Sequence, residues 1–296
     1  MALNMTDGVH VALITPTDSQ GVYQPSVMET IIDRAMPMVQ GFSILGSTGE
    51  GPMLPWSTKE AVIAHVVGFI KGRRPISCGI AALSVAQCIE ECQRAGDLGV
   101  DVALVLPPFY YPARGSEVLD FYQAVADQSP IPLMIYHIPQ FTKVPLSVDT
   151  VIRLNSHKNI VGMKDSSMDF GFFQRVRLRA FSSFKLYTGS DDLLVASSLA
   201  GGNGTICASG NVAPVLASNT WVDVRLGRID EAWTTQNRLI TLVDGVRAVG
   251  AGRAWKAAVE MARYGEAKPL APLAALSDAE RVLLKELLMN AGVLVL

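Results

Sequence analysis

Short apolar runs rich in β-branched residues recur along the chain, and each ends in small or polar residues before a helical segment begins. One run, 102–106, has no polar position, which is typical of a strand that is covered on both faces. Runs of this length that alternate with helical segments predict parallel strands joined by crossover helices. The runs are Val9–Thr17, Gly41–Thr48, Pro75–Ala82, Asp101–Pro108, Pro132–Pro139, Ile160–Ser167, Phe184–Asp191 and Gly204–Asn211. Eight βα units predict a (β/α)8 TIM barrel, with a doubly wound open sheet as the alternative.

Helix-start signals fit this alternation. Ser26 with Glu29, and Ser57 with Glu60, have the spacing of a capping box at the start of a helix. The same signal at Ser277 predicts a last helix over 278–291.

The chain beyond the last predicted strand has helical patterning without a low-complexity linker. We therefore predict two regions, a catalytic barrel over residues 1–218 and a small C-terminal helical appendage over residues 219–296. Because no linker separates them, the appendage is expected to pack on the barrel.

Composition narrows the class of protein. Hydrophobic residues make up 49% of the 296 residues and the mean hydropathy is +0.29, which suggests buried strands and buried subunit contacts. No apolar run reaches the roughly 18 residues of a membrane span, and residues 1–10 lack the pattern of a secretory signal. A net charge of −2 without a basic block gives no reason to expect nucleic acid as a partner.

The four cysteines do not form a metal site by spacing. Cys88 and Cys92 stand four residues apart, but no further Cys or His cluster would complete a ligand set, and Cys78 and Cys207 lie elsewhere. We expect reduced thiols, a cytoplasmic location, and neither metal nor cofactor.

Reactive side chains lie at or near the carboxyl ends of several predicted strands. In a barrel of this type the active site lies at the carboxyl ends of the strands, so these side chains should converge on one rim. They are Ser47 and Thr48 at the end of the second run, Tyr110 after the fourth, Tyr136 in the fifth, Lys164 in the sixth, and Asp191 at the end of the seventh with Asp192 directly after it.

Lys164 is the most informative of them. Burial in an apolar strand disfavours the charged ammonium, which leaves a neutral amine able to condense with a ketone. The resulting iminium withdraws electrons and permits a C–C or C–O bond two carbons away to break. The alternative is that Lys164 only reaches the rim to be solvated, or pairs with Asp165.

Two neighbouring features, Tyr136 and the loop at the end of the second run, could assist such a lysine. Tyr136, on the preceding strand, could carry protons, although a strand tyrosine is more often a packing residue. Ser47, Thr48 and Gly49 could bind a carboxylate through hydroxyls and amides, or form an ordinary βα turn that Glu50 anchors. His137 is expected to face the helices and bond a neighbour rather than act as a base.

The chain resembles the dihydrodipicolinate synthase/N-acetylneuraminate lyase family of pyruvate-dependent class I aldolases. The resemblance extends over nearly the whole sequence, and its strings are short individually but occur in order at barrel spacing. They are residues 46–50 (GSTGE), 108–110 (PFY), 136–139 (YHIP), 162–166 (GMKDS), 189–192 (GSDD) and 204–214.

This resemblance implies roles for individual residues. Lys164 would form the Schiff base, Tyr136 would shuttle protons, and Ser47 with Thr48 would bind the carboxylate of the 2-oxo acid. Tyr110 would complete a proton relay in a neighbouring subunit, and the backbone of Ile206 would line the lysine's pocket. The family is usually a tetramer built from dimers, so a homotetramer is implied here.

One departure from the family affects the expected substrate. Phe141 stands two residues after Pro139, where the synthases carry an arginine that binds a carboxylate. Loss of such a charge-assisted contact typically weakens the binding free energy by about 1.5–3 kcal/mol. The strings around Phe141 and Ser166 are more similar to aldolases and dehydratases of 2-keto-3-deoxy sugar acids. Gly189, Asp191 and Asp192 would then face the sugar hydroxyls.

The resulting hypothesis is a lyase that cleaves a 2-keto-3-deoxy sugar acid, or a similar 4-hydroxy-2-oxo acid, to pyruvate and an aldehyde. The alternatives with the same imine are a synthase-like condensation and a dehydratase. A non-catalytic binder of 2-oxo acids is the alternative from another class of protein.

Overall fold

A closed barrel forms the centre of the computed structural model, which describes residues 5–111 and 113–294. Each strand pairs in parallel with the next in the chain, and the first pairs with the last. The strands are β1 (Gly8–Ala12), β2 (Gly41–Ile44), β3 (Ile76–Ile80), β4 (Val102–Val105), β5 (Leu133–His137), β6 (Ile160–Asp165), β7 (Lys185–Thr188) and β8 (Gly204–Cys207). The prediction of a (β/α)8 barrel is confirmed, and the open sheet is excluded.

Helices follow the strands and cover the outside of the barrel. They are α1 (Pro25–Ala35), α2 (Trp56–Ile70), α3 (Val85–Asp97), α4 (Gly115–Gln128), α5 (Pro139–Thr142), α6 (Val148–Asn155), α7 (Phe170–Arg179), α8 (Leu194–Leu199), α9 (Pro214–Arg225), α10 (Ile229–Ala248), α11 (Ala251–Met261) and α12 (Asp278–Asn290). The last strand ends at Cys207, before the predicted Asn211, because residues 209–211 turn into a short 3-10 helix.

Two apolar cores lie on the two sides of the strands. The larger one fills the layer between strands and helices, and a smaller one fills the barrel interior. The interior core includes Leu104, Met134, Tyr136, Tyr187 and Ile206. Strands covered on both faces explain why their sequences read as continuous apolar runs.

Two of the three predicted capping boxes are wrong. Helix α1 begins at Pro25 and α2 at Trp56, so Ser26 and Ser57 lie inside the first turn and cap nothing. A helix start needs a non-helical residue before the first turn, and Gln24 and Pro55 occupy that position here. The box at Ser277 is confirmed, with α12 ending at Asn290.

The C-terminal helices pack on the barrel as expected. Helix α10 lies against α9 and α12, and α11 contacts the segment that follows β8. The predicted boundary between residues 218 and 219 falls inside α9. The division of the chain into two regions stays a prediction. Among the described residues, no helix is long and apolar enough to span a bilayer.

Candidate active site

Lys164 lies on β6 with its side chain in the barrel interior. Its register partners are Tyr136 on β5 and Tyr187 on β7, both members of the interior core. Residues in register on parallel strands point to the same face, so the lysine points inward. Only 5% of Lys164 is exposed, and its Nζ donates a hydrogen bond to Tyr136 Oη at 3.4 Å. The lysine therefore faces the phenol rather than the helical layer.

Tyr136 connects the lysine to the loop after β2. Its Oη lies 3.3 Å from Ser47 Oγ, and the Nζ of Lys164 lies 4.5 Å from the centroid of its ring. The hydroxyl thus has a protonatable or hydrogen-bonding group on each side. Such a chain of groups can pass a proton between an amine and a bound ligand.

The loop that carries Ser47 and Thr48 is tightly folded. The amide of Gly49 donates to Gly46 O at 3.1 Å, and a Cβ at Gly49 would lie 2.9 Å from Leu13 O. Close backbone approach therefore requires glycine at this position. The half-buried hydroxyls of Ser47 and Thr48 face the cavity that also holds Lys164.

A buried ion pair anchors the other end of this loop. Glu50 has a left-handed backbone (φ 53) and is 4% exposed. Its Oε2 lies 2.8 Å from the Nζ of Lys256 on α11 and accepts the amide of Leu270 at 3.0 Å. Lys256 also donates to Thr17 Oγ1 and to the carbonyl of Lys268. The pair holds the loop against the C-terminal helices.

A cavity of about 370 Å³ opens above Lys164 and contains most of the predicted site. The predicted residues that line it are Ser47, Thr48, Tyr136, Phe141, Lys164, Ser166, Gly189 and Ile206. Gly49, Tyr110, Asp191 and Asp192 are not among its lining residues. Sequence reasoning did not single out Met168, Arg247, Gly252 or Trp255, which also line it. Three of these four come from α10 and α11. No local sequence motif predicts how these two helices pack on the barrel.

Asp191 is turned away from the cavity. It is 6% exposed, and its Oδ1 accepts a short hydrogen bond from Ser209 Oγ. Burial raises the pKa of Asp191, and the hydrogen bond from Ser209 opposes that rise. The carboxylate is thus engaged within the protein.

Asp192 is paired with Arg247 at the edge of the cavity. The two guanidinium nitrogens Nη1 and Nη2 lie 2.8 and 3.1 Å from the two carboxylate oxygens. This bidentate contact raises the pKa of Arg247, with Asp192 as the largest cause. Asp244 lies 3.5 Å from Nη1 on the same helix, so two carboxylates surround the cation.

Tyr110 lies outside the cavity and is 70% exposed. Its ring meets Tyr111 edge to face at 5.1 Å between centroids. Within this single chain it does not reach Tyr136.

His137 and Asp165 form a separate, structural pair. The amide of Leu146 donates to His137 Nε2 at 3.2 Å, so this nitrogen carries the lone pair. The proton then resides on Nδ1, which lies 3.0 Å from Asp165 Oδ1. The imidazole ring packs on Phe172 of α7, within the layer between strands and helices. Asp165 is therefore bonded to the histidine and not to Lys164.

The chain matches a known protein family over nearly its whole length. The sequence model of the dihydrodipicolinate synthetase family matches residues 5–291. A 4-hydroxy-tetrahydrodipicolinate synthase from Acidiphilium cryptum is 30% identical over 291 residues, which cover 98% of this chain and 100% of that protein.

Solved structures share the fold over nearly the full length. Dihydrodipicolinate synthase from Aquifex aeolicus has a TM-score of 0.92 at 26% identity and covers 97% of this chain and 98% of its own. YagE, a prophage protein of the dihydrodipicolinic acid synthase family from E. coli in complex with pyruvate, has a TM-score of 0.93 at 24% identity. That match covers 98% of this chain and 100% of YagE.

Proposed function

Because the chain belongs to the dihydrodipicolinate synthetase family, we propose that it is a lyase that binds a 4-hydroxy-2-oxo acid as a Schiff base on Lys164. The products of cleavage are pyruvate and an aldehyde, and 2-keto-3-deoxy sugar acids are one class of such substrates. The observation that carries the proposal is the contact chain from Lys164 Nζ to Tyr136 Oη at 3.4 Å and on to Ser47 Oγ at 3.3 Å.

The reaction uses Lys164 as the nucleophile and Tyr136 as the proton carrier. The amine of Lys164 attacks the C2 ketone to give a carbinolamine. Tyr136 gives its proton to the carbinolamine hydroxyl, which leaves as water, so that an iminium and the phenolate of Tyr136 are formed. Tyr136, as the phenolate, takes the proton of the C4 hydroxyl while the C3–C4 bond breaks. The electron pair moves into the enamine, and the aldehyde departs. Protonation at C3 and hydrolysis of the imine release pyruvate and restore Lys164.

The substrate carboxylate is assigned to Ser47 and Thr48. Their hydroxyls line the same cavity as Lys164, and the loop that carries them is held by the buried Glu50–Lys256 pair. A fixed carboxylate positions the adjacent ketone for attack. This orientation lowers the activation barrier in addition to any gain in binding affinity. The pyruvate in complex with YagE, which has the same fold, is consistent with this assignment.

Condensation of pyruvate with an aldehyde is the second candidate. The curated relatives at 30% identity are synthases of this kind, and they cover nearly all of this chain. Phe141 argues against 4-hydroxy-tetrahydrodipicolinate as the product. It is 67% exposed at the edge of the cavity and offers no donor to a second carboxylate.

Borohydride trapping tests the imine. The full-length protein is incubated with pyruvate, reduced, digested and mapped by mass spectrometry, and the adduct is expected on Lys164. Lys164→Met should abolish the adduct, whereas Lys185→Met, a lysine paired with Asp7 away from the site, should retain it. Absence of an adduct on Lys164 in the unmodified protein at neutral pH contradicts the proposal.

Product analysis then distinguishes the reactions. Pyruvate released from 4-hydroxy-2-oxo acids supports the lyase, and a conjugated keto acid without pyruvate indicates a dehydratase. Stabilisation by keto acids without any turnover would indicate a binding protein. Tyr136→Phe should lower kcat roughly 10²–10⁴-fold, because it removes a general acid–base group.

We also propose a homotetrameric, cytoplasmic protein. Tyr110 and Tyr111 are 70% and 77% exposed, more than aromatic side chains usually are on the surface of a monomer. All four cysteines are free and buried, which suits a reducing compartment. Light scattering on the purified protein tests the assembly.

A further inference from the structure

We propose that the aldehyde half of the substrate carries an apolar alkyl or aryl group, which binds in a second lobe of the active-site cavity. This inference rests on the proposed function and specifies its substrate. It selects among the 4-hydroxy-2-oxo acids those whose C4 substituent is hydrophobic.

The second lobe adjoins the cavity above Lys164. It has a volume of about 390 Å³ and shares Ser47, Ile138, Phe141 and Gly252 with the first lobe. Ile138 and Phe141 therefore form a common wall. A ligand whose C2 is bound to Lys164 can extend past Phe141 into this space.

The lining of the second lobe is almost entirely apolar. Its hydrophobic members are Pro52, Met53, Leu106, Phe109, Ile138, Phe141 and Leu273. They come from the loops after β2, β4 and β5 and from the segment after α11. A volume of this size accommodates a phenyl ring or a short alkyl chain, and burial of such a group is favourable.

The polar side chains that line this lobe are already hydrogen-bonded within the protein. Thr142 Oγ1 donates to Ile138 O at 3.2 Å, and Ser47 Oγ contacts Tyr136. Glu50 is bound to Lys256 through Oε2, and its Oε1 is buried without a partner. A sugar hydroxyl placed here would give up its water for few partners, because Thr142 is bonded within the protein, Glu50 Oε1 is buried below the cavity surface, and Ser47 is assigned to the substrate carboxylate.

The polar side of the first lobe does not favour a second anionic group. Apart from Lys164, Arg247 is the cationic residue among the described residues that line this lobe, and both of its terminal nitrogens contact Asp192. Asp244 adds a second carboxylate at 3.5 Å. The local charge of these three groups is negative, which opposes a substrate with a distal carboxylate.

Aldehyde selectivity in the reverse reaction tests the inference. Pyruvate is supplied with propanal, benzaldehyde, glyceraldehyde or glyoxylate, and products are quantified by mass spectrometry. Propanal and glyceraldehyde have the same carbon chain and differ only in two hydroxyls. We expect kcat/KM for propanal and benzaldehyde to exceed that for glyceraldehyde and glyoxylate at least tenfold, since a hydrophobic pocket discriminates against an added hydroxyl by on the order of 100-fold.

A variant of Phe141, in the common wall, tests whether the second lobe determines the preference for apolar aldehydes. Phe141→Ser should reduce the preference for propanal over glyceraldehyde roughly tenfold or more without removing the pyruvate adduct on Lys164. Phe181→Ser is the matched control, because Phe181 is similarly exposed at 59% but does not line either lobe. It should leave the selectivity unchanged.

The outcomes separate the two proposals. If the adduct forms on Lys164 but glyceraldehyde or glyoxylate reacts as well as propanal, the apolar substrate class is wrong and the Schiff-base function stands. An unchanged preference in Phe141→Ser also overturns the assignment of the lobe. If no adduct forms, the proposed function fails, and the inference that depends on it fails with it.

Discussion

At the scale of single residues, the position of Lys164 depends on the absence of a side chain at Gly189. A Cβ at Gly189 would lie 2.8 Å from Lys164 Cε and would overlap Ser166 Oγ. Contacts this short force the neighbours to move. The glycine after β7 therefore keeps open the space in which Lys164 approaches its ligand.

Gly189→Ala should displace the amine of Lys164 and lower kcat/KM roughly 100-fold, because small misplacements of reacting groups cost about that much. Steady-state kinetics together with the rate of borohydride trapping would measure the effect. Gly68→Ala in α2 is the control, since a Cβ there meets nothing within 4 Å. Equal kinetics in the two variants would contradict this account of Gly189.

At the scale of elements, the loop after β2 is fixed to α11 by two buried charges. Lys256 is 0% exposed and Glu50 4%, and they stand 206 residues apart in sequence. Burial lowers the pKa of Lys256, and the contact with Glu50 opposes that shift. A pair of this kind is costly to break, because removal of one partner leaves the other charge buried alone.

Lys256→Met should lower the free energy of unfolding by about 3–5 kcal/mol, as measured by urea denaturation. The double variant Glu50→Gln/Lys256→Met should recover part of the loss, because it leaves no uncompensated charge. Lys185→Met breaks a partly exposed pair with Asp7 and should cost about 0–1 kcal/mol. A double variant no more stable than Lys256→Met would argue against the ion-pair explanation.

Helix capping gives a second prediction at this scale. Ser277 caps α12, with Glu280 Oε2 accepting the Ser277 amide at 2.7 Å, whereas Ser57 has the same sequence signal and caps nothing. Ser277→Ala should therefore destabilise the protein by about 1 kcal/mol. Ser57→Ala should change stability by less than about 0.5 kcal/mol. Thermal and urea unfolding of both variants would check the difference, and equal losses would refute it.

At the scale of the whole molecule, the stability of the protein at acidic pH should depend in part on His10, a histidine buried in the barrel. His10 on β1 is fully buried beside Tyr187, with its Nε2 2.7 Å from Thr6 O. Burial lowers the pKa of His10 from 6.5 to about 4. Unfolded chains bind this proton near pH 6.5, but the native protein does not until about pH 4.

The contribution of His10 to stability is therefore complete above pH 6.5 and is lost as the pH falls from 6.5 to about 4. The loss should approach about 3 kcal/mol, at 1.36 kcal/mol for each pKa unit. Urea denaturation across this range should show a shallower pH slope for His10→Gln than for the unmodified protein. His157→Gln, at a histidine paired with the exposed Asp127, is the comparison. Identical slopes in all three proteins would rule out this role.

The sequence by itself determined the barrel and the pairing of Lys164 with Tyr136. Strand and helix periodicity is local, so the eight βα units can be counted from the sequence alone. Lys164 and Tyr136 lie on consecutive predicted strands, and adjacent parallel strands place such residues side by side. The capping boxes predicted at Ser26 and Ser57 are wrong, because the start of a helix depends on which residue first adopts helical geometry. The spacing between serine and glutamate does not specify that residue.

Only the tertiary structure decided what surrounds that pair. Arg247, Gly252 and Trp255 reach the cavity from helices far along the chain, and no local pattern encodes how those helices dock. The same docking pairs Asp192 with Arg247 and Glu50 with Lys256, so each carboxylate has a cationic partner that the sequence did not predict. The physical reason is that local periodicity follows from short-range sterics and solvent exposure, whereas these contacts depend on long-range packing of the folded chain.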